Sequence, residues 1–236
     1  VTHEQRPTQE QPSAESPTQA QWPSGEPGRG IDTVVFDLGN VLVRWDPYGP
    51  FVGRLDHRAV ARFFADVDFP AFNQRQDSGR SWAHARADVH ARFPEHARAV
   101  DLYVEHFVDA VPGPVEGSAQ IVRDLASDGV RLFGLTNWSA ETYHHAEPAA
   151  PVIGLLEGVL VSGQVGLVKP DPRIFALLAE RFDLVPGRTV FIDDSPANVE
   201  AAVRVGYQAV LFTSADALRR DLRALGLAVG AAAPRT

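Results

Sequence analysis

The chain has 236 residues and 25.7 kDa, with 44% hydrophobic residues, a net charge of −8 and no cysteine. That length suits one sizeable α/β domain with a modest insertion, and the apolar share suits a packed core. The composition excludes disulfides, thiolate metal sites and a cysteine nucleophile. No run of ~18 apolar residues is present to span a membrane, and Lys and Arg are too scattered for a nucleic-acid face.

Residues 1–29 are rich in Pro, Gln, Ser and Glu, with Trp22 almost their only apolar group. They bury too little to offset ordering entropy and read as a disordered tail, Trp22 reading as a solvated aromatic rather than a docking residue. They also lack the apolar run of a secretory signal, so the expected location is cytoplasmic. Order begins with Thr33-Val34-Val35-Phe36-Asp37-Leu38, a β-branched and aromatic run that reads as a buried strand stopped by a turn at Gly39. Residues 48–112 read as helices near 57–66, 80–93 and 95–111, with Asp56 capping the first and Pro94 separating the last two. No strand pattern interrupts them, so the block reads as a helical insertion.

Four β–α alternations follow. A helix near 114–128 stops at Gly129 and leads to the strand Val130–Thr136. A short helix near 139–147 precedes the strand Gly158–Ser162. The helix Pro172–Phe182 precedes the strand Thr189–Asp193, a helix near 197–206 precedes the strand Gln208–Phe212, and a last helix covers 214–226. Continuous apolar strands alternating with amphipathic helices imply a parallel sheet covered on both faces.

Ligands of open parallel sheets bind beyond the carboxyl ends of the strands. Four polar groups fall at such ends. They are Asp37-Leu38-Gly39-Asn40, Thr136-Asn137-Trp138, Lys169-Pro170-Asp171 in the loop after Ser162, and Asp193-Asp194-Ser195-Pro196. Carboxylates, a hydroxyl and an ammonium meeting on one rim form a phosphate-and-metal constellation.

The stretches Phe36-Asp37-Leu38-Gly39-Asn40-Val41-Leu42, Leu135-Thr136-Asn137, Val168-Lys169-Pro170-Asp171 and Phe191-Ile192-Asp193-Asp194 resemble the four ordered motifs of the haloacid dehalogenase-like (HAD) superfamily. The resemblance covers Ile31 to about Leu225. It implies a doubly wound, Rossmann-like parallel sheet over 30–47 and 113–236, with a small helical cap over 48–112 inserted after the first strand. By motif, the chain is most similar to the capped phosphatase subgroup.

The resemblance implies a role for each residue. Asp37 becomes the nucleophile, attacking phosphorus to give an aspartyl-phosphate that water then hydrolyses. Thr136 donates its hydroxyl to a phosphoryl oxygen, helped by the backbone amide of Asn137. Lys169 pairs with Asp37 and the transferred group. It is the only lysine in the chain, which suggests a need for a compact ammonium. Asp194 falls on the metal-ligand position, Asp193 beside it as a supporting or water-mediated contact, and the Gly39 carbonyl completes the protein ligands. Three carboxylates facing one ammonium call for a dication, and all-oxygen ligation suits Mg²⁺. Asn198 stands where a further acid is often found.

One departure stands out. Many phosphatases of the superfamily carry an acid two residues after the nucleophile, where this chain has Gly39. The proton then falls to a residue of the helical block, a water or the leaving group. Phe72, Gln74, Arg75 and Asp77, in a stretch ending at Gly79, read as a lid, and Trp45, Asp46 and Tyr48 as further pocket lining. The eight histidines read as surface residues. The expected function is a Mg-dependent phosphatase acting on a small phosphorylated metabolite, a sugar phosphate among the candidates. The expected assembly is a monomer or homodimer, with no nucleic-acid or membrane partner. Two other readings are a metal-independent 2-haloacid dehalogenase and a non-catalytic protein of the same fold.

Overall fold

The computed structural model describes residues 30–230. The expected tail over 1–29, with Trp22, lies outside the described residues. Strand β1 (Thr33–Phe36) is buried along its whole length. Next come four helices, α1 (His57–Asp66), α2 (Phe69–Asp77), α3 (Trp82–Arg92) and α4 (Ala97–Glu105). The alternating part then runs α5 (Ser118–Ser127), β2 (Arg131–Thr136), α6 (Ala146–Ala149), β3 (Gly158–Val161), α7 (Ser162–Val165), α8 (Pro172–Phe182), β4 (Thr189–Asp193), α9 (Pro196–Arg204), β5 (Gln208–Leu211) and α10 (Ala215–Ala224).

All strand pairs are parallel, in the order β3-β2-β1-β4-β5. The chain thus builds outward from β1 in one direction and then returns to the other side of it, as the doubly wound α/β expectation required. Successive strand residues point to opposite faces. Val34 and Phe36 join one core with Ile121, Leu125 and Leu222, whereas Val35 joins another with Phe175, Leu178 and Ala202. Both faces are therefore covered, which explains the unbroken apolar runs of β1 and β4.

Helix starts follow local chemistry. The side chains of Asp56, Ser81, Asp171 and Ser214 accept from backbone amides at the starts of α1, α3, α8 and α10, satisfying donors that the first turn leaves open. Pro172 sits in the first turn of α8, where its missing N–H costs nothing.

Several expectations need correction. The stretch read as a lid ending at Gly79 is largely the helix α2. Its signal was hidden because Asp68 enters it in a left-handed conformation, Pro70 opens it, and apolar and polar residues are poorly segregated along it. The helix expected over 95–111 is split. α4 ends at Glu105 and a 3₁₀ turn takes over Phe107–Ala110. The one expected over 139–147 is a 3₁₀ turn at Tyr143–His145 running into the single turn α6, which Pro148 and Pro151 keep short. Not every histidine is a surface residue. His96 is buried, with Nε2 2.7 Å from Asp66 Oδ2 and its ring against Phe63. Among the described residues, no helix is long and apolar enough to cross a membrane.

Candidate active site

The site grows from the end of β1. The Asp37 amide donates to the Ile192 carbonyl at 2.8 Å, extending the β1–β4 ladder one residue past the strand. That puts Asp37 beside the end of β4, at the reversal of strand order. β4 itself ends in Asp193, β2 in Thr136, and the loop after α7 brings in Lys169.

Asp37 Oδ1 accepts from the Leu38 amide at 2.7 Å and from Lys169 Nζ at 2.8 Å. Lys169 Nζ also donates to Asp193 Oδ2 at 2.7 Å and to the Leu135 carbonyl at 2.9 Å. Its ammonium protons are thus matched by three acceptors, and the side chain is almost wholly buried. Lys169 is held from behind by Asn137. The Asn137 Nδ2 donates to the Lys169 carbonyl at 2.9 Å, and the Lys169 amide donates to Asn137 Oδ1 at 2.8 Å. This two-way clasp between β2 and the Lys169 loop was not visible in the sequence, which pointed only to the Asn137 amide.

The two adjacent aspartates divide their work. Asp193 has no solvent exposure. Besides Lys169, it accepts from the Ser195 amide at 2.8 Å and from Asn198 Nδ2 at 3.0 and 3.1 Å. Asp194 is exposed toward the pocket and takes a hydrogen bond from the Asn40 side chain. Asn40 stands in the left-handed region, at φ 57°.

Burial, above all, pushes the Asp37 carboxyl up to about 7; Asp193 and Asp194 add to the rise, and Lys169 opposes it. Burial and then Asp193 also raise Asp194, against the Asn40 hydrogen bond and Lys169. Burial opposes the Lys169 charge, yet Asp37 and Asp193 outweigh it and hold the ammonium above its ordinary value. Carboxylate oxygens of Asp37, Asp193 and Asp194 all lie within 4.8 Å of one another. Acids crowded enough to retain protons are relieved by a cation, so the donor set fits a hard dication. Internal donors already take up Asp193, so Asp37 and Asp194 are the carboxylates of this cluster that face the pocket and could hold it.

A pocket of about 280 Å³ opens at this point. Asp37, Gly39, Thr136, Asn137, Lys169 and Asp194 line it, so six of the seven residues singled out from the sequence share one cavity wall. The seventh, Asp193, is fully buried and does not line it. Of the residues offered as pocket lining or lid, Trp45 and Asp77 reach the cavity. Phe72 is core instead, Gln74 and Arg75 are exposed, and Tyr48 is exposed, stacked on His57 and tilted against Phe64. The sequence reading missed Asn73, Trp82 and Phe107, which the helical block contributes, and Ser139 and Thr142 beyond β2. Only their aromatic and polar character was readable; their shared direction depends on how the helices pack. A Cβ built on Gly39 meets nothing within 4 Å, so no crowding explains the missing side chain there.

Residues 31–206 match the family described as haloacid dehalogenase-like hydrolase. The chain is 30% identical over 115 residues to flavin mononucleotide hydrolase 1 of Arabidopsis thaliana, a match covering 49% of this chain and 46% of that protein, so it spans about half of that relative's length. It is 27% identical over 177 residues to phosphoserine phosphatase of Thermus thermophilus, covering 72% of this chain and 70% of that one. Among solved structures, a HAD family enzyme from Bacteroides thetaiotaomicron, in complex with magnesium and inorganic phosphate, superposes with a TM-score of 0.63 at 20% identity. That match covers 78% of this chain and 96% of the other.

Proposed function

Because the chain belongs to the haloacid dehalogenase-like hydrolases, we propose that it is a magnesium-dependent phosphatase of small phosphomonoesters working through an aspartyl-phosphate on Asp37. The observation that carries this reading is the buried charge chain Asp37–Lys169–Asp193, set against a pocket that also presents Thr136 and Asp194. The phosphatase relatives support the same chemistry.

Leu38 and Lys169 both donate to Asp37 Oδ1, which holds the carboxylate and leaves Oδ2 for attack. Thr136 holds a phosphoryl oxygen, and Lys169 offsets the charge that grows as the bond forms. Asp37, Asp194 and the Gly39 carbonyl would hold magnesium, which when bound supplies positive charge to the phosphoryl oxygens. Asp193 keeps the ammonium in place rather than binding the metal.

The helical block 48–112 acts as a cap that selects the leaving group. Trp45, Trp82, Phe107 and Trp138 wall the pocket, and among the described residues Lys169 is the only cationic side chain lining it. Such walls suit an apolar, aromatic or sugar group that stacks. A panel of monophosphates assayed with Mg²⁺ tests the proposal. Turnover of small phosphomonoesters is expected, silenced by EDTA and by Asp37→Asn. Turnover that survives EDTA would favour the dehalogenase type of chemistry, and none at all would favour a binding role.

A further inference from the structure

The position two residues after Asp37 is glycine, so the proton needed by a departing alkoxide must come from elsewhere. Among the described residues lining the pocket there is no histidine, cysteine or tyrosine, and the carboxyls are Asp37, Asp77 and Asp194. Asp37 attacks, and Asp194 is a metal oxygen. Asp77 is left over.

Its placement is specific. Asp77 ends α2, and three contacts tie it down. Asn73 Nδ2 donates to its Oδ2 at 2.9 Å, the Ser139 backbone amide donates to its carboxylate, and Ser162 Oγ donates to its carbonyl at 2.6 Å. Ser139 follows β2 in the segment that begins after Thr136, so the carboxyl is fixed in the pocket that Thr136, Asn137 and Lys169 also line, although it comes from the helical block. The Trp82 amide, which donates to Glu141 at 3.1 Å, ties the next helix to that loop as well.

We infer that Asp77 is the catalytic acid and base of this site, replacing the side chain that Gly39 lacks; the inference rests on the phosphatase reading. In the first half-reaction an Asp37 oxygen bonds to phosphorus and the bond from phosphorus to the leaving oxygen breaks. Asp77 gives its proton to that oxygen, releasing an alcohol and becoming a carboxylate. In the second, a water oxygen bonds to phosphorus and the bond from phosphorus to Asp37 breaks. Asp77 takes the water's proton, so inorganic phosphate leaves and both carboxyls return to their starting state. Burial pushes Asp77 up to about 7, against the Ser139 amide and the Lys169 charge, both of which lower it. The Tyr103 hydroxyl also faces it and is itself raised, first by burial and then by Asp77. A carboxyl half-protonated near neutral pH serves both directions of transfer.

A clamp between α2 and the core would use the same contacts, so the test must separate the roles. Pre-steady-state kinetics with Mg²⁺ compare p-nitrophenyl phosphate, whose leaving group needs no proton, with 2-phenylethyl phosphate, whose alkoxide does. In Asp77→Asn, the nitrophenyl ester is expected to give a burst of one equivalent followed by steady turnover slowed roughly 10²-fold or more. The alkyl ester is expected to lose about 10²–10⁴-fold without a burst. Equal losses on both esters without a burst, or no loss on either, would overturn the inference. Wild-type protein that turns over neither ester overturns the phosphatase reading and this inference with it. If Asp77→Asn does not fold, wild-type pH profiles decide. The value of kcat/KM for the alkyl ester should fall above about pH 7 while that for the nitrophenyl ester holds; a shared limb overturns the assignment.

Discussion

Lys169 Nζ stands between two carboxylates, 2.8 Å from Asp37 Oδ1 and 2.7 Å from Asp193 Oδ2, with the Leu135 carbonyl as its third acceptor. The ammonium is fully enclosed, so its charge is met by the protein rather than by water. Removing it by Lys169→Met leaves two buried carboxylates facing each other. Breaking a buried pair in this way costs about 3–5 kcal/mol. Thermal melting at neutral pH should show a drop on that scale, and turnover of an aryl phosphate should fall at least ~100-fold. Lys169→Arg restores the charge but not the compact geometry and should recover little of either.

The adjacent aspartates should part ways on substitution. Asp193 accepts from Lys169, Ser195 and Asn198, so Asp193→Asn should lower the melting temperature with or without Mg²⁺. Asp194, exposed to the pocket, should leave the metal-free melting temperature nearly unchanged as Asp194→Asn. Calorimetric titration with Mg²⁺ should instead show an affinity roughly 10-fold weaker or more, in line with losing a ligand. The reverse pattern would exchange the two roles.

Asp77 also makes a prediction about stability. Its folded value of about 7 lies above the ordinary carboxylate value of 3.8. Below about pH 4 the carboxyl is protonated in both folded and unfolded chains and costs nothing. Between about pH 4 and pH 7 the unfolded chain ionises first, so wild-type stability falls across that window and then levels off. Asp77→Asn carries no such penalty. Urea unfolding of the metal-free protein should show the variant gaining on the order of 4 kcal/mol over wild type at pH 8 and little at pH 4. A constant difference at both pH values would mean that Asp77 titrates normally.

Gly39 has room for a side chain, and its backbone is outside the left-handed region. Gly39→Asp should therefore fold and melt within a few degrees of wild type. In the Asp77→Asn background it should restore alkyl-ester turnover at least ~10-fold by supplying an acid two residues after the nucleophile. A double variant no faster than Asp77→Asn alone would show that a carboxyl at residue 39 does not reach the leaving oxygen.

Local patterns in the chain were enough to establish the alternating fold and the polar residues that close its strands. A buried parallel strand has to be apolar until it ends, so Asp37, Thr136 and Asp193 mark their strand ends by composition alone. Lys169 stood out as the lone lysine. Packing decided the rest. Whether Asp193 faces metal or ammonium depends on Asn137 clasping the Lys169 loop, and whether Asp77 is a surface acid or a pocket acid depends on α2 docking against Ser139 and Ser162. Side-chain partners and charge states are set by burial and by groups distant along the chain, and these exist only once the helices have closed over the sheet.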